Sequence, residues 1–82
     1  MVLAGSLAPK RDKARRRISV LTSREQEVLI HLAEGMANAA IARTMCLSEG
    51  AVKAHVSRLL TKLRCDNRVQ AALLARDAGL PG

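Results

Sequence analysis

The chain of 82 residues contains no phenylalanine, tryptophan or tyrosine. Proteins that hold single strands or RNA loops usually stack bases on aromatic rings, and this chain has none to offer. Duplex DNA needs no such rings. The same lack leaves the core to Leu, Val, Ile, Ala and Met. Cysteine is almost as scarce. Cys46 and Cys65 form no CxxC pair, and the only histidines are His31 and His55. Tight ligand pairs for zinc are missing, so neither a metal nor any other cofactor is expected. The opening stretch, Met1 to Ala8, lacks the positive n-region and the longer apolar run of a secretory signal. Two thiols without such a signal fit a reducing cytoplasm. No run approaches the roughly 18–20 apolar residues of a membrane span, so no membrane partner is expected. Catalytic pairings are absent too: no acid–base pair, no Gly-rich phosphate loop, no nucleophile with a histidine at recognisable spacing. No enzyme is expected.

What is present in quantity is positive charge, +7 in all, and it is uneven. Residues 1–20 hold Lys10, Arg11, Lys13, Arg15, Arg16 and Arg17 against Asp12, a net +5, which leaves only +2 for residues 21–82. Small residues, Pro9 and then the charge run make residues 1–17 read as a basic, disordered arm or linker. Such an arm would strengthen non-specific attraction to phosphates. The folded domain is expected over residues 18–80, one small core that buries only about 60% of its unfolded surface.

Apolar periodicity begins near Ile18. Thr22-Ser-Arg-Glu25 has the form of a capping box, and Val28, Leu29, Leu32 and Ala33 follow at helical spacing. Gly35 can end that helix in the left-handed conformation, which predicts a first helix over about 22–34. Asn38 is expected to cap a second, short helix with Ile41, Ala42 and Met45 inward, ending at Met45 or Cys46. Ser48 caps a third, over 48–63, with a stripe of Val52, Val56, Leu59, Leu60 and Leu63. Asn67 caps a fourth. There, either Ala71, Leu74 and Ala75 or Ala72 and Leu73 can face inward, and Gly79 and Pro81 stop the helix. The expectation is an all-α fold, a four-helix bundle containing a helix-turn-helix. The polar face of the third helix carries Lys53, Ala54, Ser57, Arg58, Thr61 and Lys62, with His55 at its edge. It is cationic and, over two turns, small. That suits close approach to base edges, and it equally describes an ordinary solvated helix face. Pattern alone leaves both open.

Four segments in order resemble a known family: Leu21-Thr-Ser-Arg-Glu-Gln-Glu-Val-Leu29, Gly35-Met-Ala-Asn-Ala-Ala-Ile-Ala42, Leu47-Ser-Glu-Gly-Ala-Val-Lys-Ala-His-Val56 and Arg68-Val-Gln-Ala71. They look like the LuxR-type (FixJ-type) effector domains of bacterial transcription regulators, over roughly residues 19–80. The resemblance implies binding to double-stranded promoter DNA with the third helix in the major groove, and a homodimer through the fourth helix. It also implies a cytoplasmic bacterial setting, RNA polymerase as a further partner, a role as response-regulator output domain, and no small-molecule ligand within this domain. Carried over residue by residue, base reading falls on Lys53, Ala54 and Ser57. Phosphate contact falls on Asn38, Arg43, His55, Arg58, Lys62 and Arg24. The dimer face falls on Val69, Ala72, Leu73 and Arg76. Glu25 matches a framework position, as a cap or an internal ion pair.

The chain departs from the family pattern in three places. Ala39 and Ala40 replace a charged pair in the second helix, and Gly50 and Ala51 replace a cation and a threonine in the third. Arg64 stands where a helix-ending glycine is common, so that helix should run on or end under strain. These losses imply weaker DNA contacts than is usual. Two other readings follow: a dimerising module with weak DNA affinity that antagonises a related regulator, and a domain like region four of a sigma factor.

Overall fold

A computed structural model gives the fold. It describes residues 2–80, with side chains from Lys10 onward; Pro81, expected to help stop the last helix, lies outside the described residues. Five helices follow one another: α1 (Val2–Ile18), α2 (Ser23–Ala33), α3 (Asn38–Met45), α4 (Glu49–Leu63) and α5 (Arg68–Asp77). The four expected helices are therefore α2 to α5, and no strand occurs among the described residues.

Their starts follow from side-chain chemistry. Thr22 accepts from the Glu25 N–H while the Glu25 carboxylate accepts from the Thr22 N–H, closing the expected capping box. Ser48 accepts from the Ala51 N–H, and Asn67 from the Gln70 N–H. The start of α3 differs from expectation. Ala37 is its cap and offers no side-chain bond, whereas Asn38 is the first helical residue with its side chain engaged elsewhere.

The four helices end alike. One residue turns left-handed, and the next donates its N–H to the carbonyl five positions back. Met36 donates to His31 at 3.1 Å, Leu47 to Ala42 at 2.8 Å, Cys65 to Leu60 at 2.9 Å and Leu80 to Ala75 at 2.9 Å. The left-handed residues are Gly35, Cys46, Arg64 and Gly79. Two are thus not glycine, and α4 ends at Arg64 under backbone strain instead of running on.

The core is aliphatic. Val28, Leu29, Val52, Leu59, Ala71 and Ala75 are wholly buried where α2, α4 and α5 meet, and α3, which packs on α4, buries Ile41 as fully. The sequence left two faces of the last helix open; Ala71, Leu74, Ala75 and Ala78 are the ones inside.

The segment expected to be a disordered arm is a helix. Ala14 and Ile18, one turn apart, are buried against the domain, and α1 packs on α5. The Arg15 Nε donates to the Ala78 carbonyl at 3.0 Å, and the Arg17 guanidinium donates to the Leu63 carbonyl. Each cation thereby meets the electronegative end of another helix, where free carbonyls and the dipole favour it. Lys10 adds an exposed pair with Asp77 at 3.6 Å. These distant carbonyls, with buried Ala14 and Ile18, fasten the last turns of α1 to the domain. No described helix is long and apolar enough to cross a membrane.

Candidate nucleic-acid interface

The turn between α3 and α4 is short, running from Cys46 to Ser48. It is set by the left-handed Cys46 and by the Leu47 bond to Ala42. Behind it Val52, Val56, Leu59 and Leu63 bury one side of α4. The opposite side is thereby turned to solvent. Lys53, Ser57, Arg58, Thr61 and Lys62 are exposed there, with Ala54 and His55 half-buried beside them. Ser57, Arg58, Thr61 and Lys62 line a shallow hollow on this face. The Thr61 hydroxyl is turned back onto the Ser57 carbonyl at 3.1 Å, which keeps that part of the surface low.

The cations on this side divide by what they already hold. Among the described residues, Lys53, Arg58, Arg24 and Arg43 make no ion pair or side-chain hydrogen bond, so their charge is free for a ligand. Lys62 is different. Its ammonium lies 2.8 Å from Glu25 Oε1, and Glu25 is only 3% exposed. The hydrogen bond from Lys62, then that from the Thr22 N–H, hold the Glu25 carboxyl below the usual glutamate range, and outweigh the upward push of burial. Glu25 is thus both the cap and the internal ion pair. Lys62, expected at a phosphate, is partly committed to the frame.

His55 presents one nitrogen only. Its Nδ1 is out of solvent without a hydrogen-bond partner, so the imidazole can act on a ligand only through Nε2. Asn38 is half-buried, and its Oδ1 accepts from Arg68 at 2.8 Å. Nothing in the capping pattern signalled Arg68; only the folded chain brings it to α3. The structure brings Lys53, Ala54, Ser57, Arg58 and His55 onto one helix surface, with Arg24 at the first turn of α2, next to the Glu25 that Lys62 holds.

A second surface lies on α5. Val69 is 64% exposed and Leu73 56%, with Arg76 exposed and Ala72 half-buried alongside. With Leu32 and Met36 they border an apolar groove between the end of α2 and α5. Among the described residues, no three His, Cys, Asp or Glu side chains come together as a metal site.

Comparison with known proteins gives a consistent picture. The family described as "Bacterial regulatory proteins, luxR family" matches residues 19–75. The nitrate/nitrite response regulator protein NarL of Escherichia coli is 40% identical over 72 residues, 88% of this chain and 33% of that protein. The uncharacterized transcriptional regulatory protein YhcZ of Bacillus subtilis is 44% identical over 71 residues, 87% of this chain and 33% of its own. The DNA-binding transcriptional activator DevR/DosR of Mycobacterium tuberculosis is 47% identical over 60 residues, covering 73% and 28%. The chain spans about a third of the length of the curated relatives it matches.

Proposed function

The chain belongs to the luxR family of bacterial regulatory proteins, and from that premise we propose that it binds double-stranded promoter DNA in a sequence-specific way to regulate transcription. The observation that carries the reading is the outward face of α4. Its apolar side is buried, and its other side offers an unpaired Lys53 between small residues on the first two turns. A helix of this width enters the major groove, and a lysine there reaches guanine O6 or N7. Lys53, Ala54 and Ser57 are the base-reading residues. Arg58, Arg43, Arg24 and His55 through Nε2 hold phosphates, as do Asn38 and the free N–H groups at the uncapped start of α3. Lys62 contributes secondarily, since Glu25 already holds it. Two copies pair through Val69, Ala72, Leu73 and Arg76, which places two α4 helices on successive half-sites. The relative from Mycobacterium tuberculosis, named a DNA-binding transcriptional activator, supports DNA binding and a role in transcription. We further propose that the domain works in a bacterial cytoplasm as a response-regulator output domain, with RNA polymerase as a second partner.

The test is titration of a fluorescent duplex at several salt concentrations. Several phosphate contacts should give a log–log slope of about −0.9 for each. Weak binding with a flat salt dependence would instead support the pairing module that antagonises a related regulator.

A further inference from the structure

Arg68 opens α5, yet its side chain reaches back to the start of the helix-turn-helix. The half-buried guanidinium donates from Nη1 to Asn38 Oδ1 and from Nη2 to the Met36 carbonyl, both at 2.8 Å. These partners lie 30 and 32 residues away in sequence. One planar fork therefore grips the loop after α2 and the first residue of α3 together. A guanidinium only donates, so the Asn38 amide must turn its oxygen toward Arg68. Its Nδ2, with two protons, is left for another acceptor. The same contact keeps the Asn38 oxygen off the α3 N–H groups, which Ala37 cannot cap either.

We propose that Arg68 is a positioning residue for DNA binding: it holds Asn38 so that the amide nitrogen donates to a backbone phosphate. The inference rests on the DNA-binding reading above. Both hydrogen bonds of Arg68 are made inside the protein, so it acts through Asn38 and not on the duplex. It is also the residue next to Val69, so the anchor of α3 lies on the helix that carries the exposed pairing stripe.

The experiment compares Arg68→Lys, Asn38→Ala and the double variant by duplex anisotropy, with circular dichroism confirming that each is folded. Lysine keeps the charge but has one nitrogen in place of the planar fork whose two nitrogens meet the two acceptors. Each single variant should bind roughly ten-fold more weakly, the scale of one charge-assisted hydrogen bond. The double variant should be no weaker than Asn38→Ala, because one contact is lost in all three. Asn38→Asp is the second arm, and serves even if Arg68→Lys fails to fold. It keeps the Arg68 bridge and an acidic residue at a helix start, but has no N–H to donate; it should fold and bind weakly. Additive losses, or Asn38→Asp binding as the parent does, overturn the proposal and leave the DNA-binding reading intact. Failure of the parent chain to bind any duplex overturns that reading, and this proposal with it.

Discussion

Glu25 accepts the Thr22 N–H and the Lys62 ammonium on the same carboxylate oxygen, at 2.9 and 2.8 Å. Replacing it by alanine leaves both donors without their acceptor and should cost about 1–3 kcal/mol in chemical denaturation. Its pH dependence follows from the lowered pKa. The unfolded chain takes up the Glu25 proton first on acidification, so this contribution is full above the ordinary glutamate range. It is lost as pH falls through the lower folded value. The advantage of the parent chain over Glu25→Gln should therefore shrink in acid; an advantage that grew there would contradict the account. The capping box was legible because its two members lie three residues apart. The Lys62 partner was not, because 37 residues separate it from Glu25. Arg64 gives a second prediction. Its φ of 55° is left-handed, a conformation that costs a side-chain-bearing residue roughly 1–2 kcal/mol and a glycine little. Arg64→Gly should raise the melting temperature by about 4–8 °C per kcal/mol regained. An unchanged or lower melting temperature would mean that the arginine side chain offsets the strain.

At the scale of elements, α2, α4 and α5 were readable because their caps are local: Thr22, Ser48 and Asn67 each bond an N–H three residues on. The start of α3 was misplaced by one residue for the converse reason. Asn38 resembles a cap, but Arg68 from a distant helix takes its oxygen. The largest departure is α1. Its like charges and Pro9 read as a solvated arm, and only the folded chain reveals what the arginines meet, the carbonyls of Leu63 and Ala78. Removing residues 1–17 should therefore do more than lower non-specific DNA affinity. It strips two helix ends of their cations and uncovers the surface against Ala14. The shortened chain should be less stable by about 1–3 kcal/mol. Identical thermal unfolding with and without the segment would show that α1 contributes nothing to the fold.

The whole molecule presents two surfaces that a single small domain does not need for its own core: the outward face of α4 and the Val69–Leu73 stripe of α5. The stripe is small, so pairing in solution should be weak and strengthened by DNA, with α5 meeting its own copy across a two-fold axis. Leu73→Glu would set two carboxylates against each other there. It should abolish cooperative binding to a duplex with two half-sites and leave the monomer folded; retained cooperativity would move the pairing surface elsewhere. The central claim is that α4 reads base edges, and Lys53 tests it most directly. Sequences bound by the parent chain are selected from random duplex DNA, and the selection is repeated with Lys53→Ala. The account predicts a two-fold symmetric motif in which Lys53→Ala relaxes one position of each half, at a cost of about 1–3 kcal/mol on the parent site. A motif left unchanged by Lys53→Ala, with affinity lowered equally for every sequence, would contradict it.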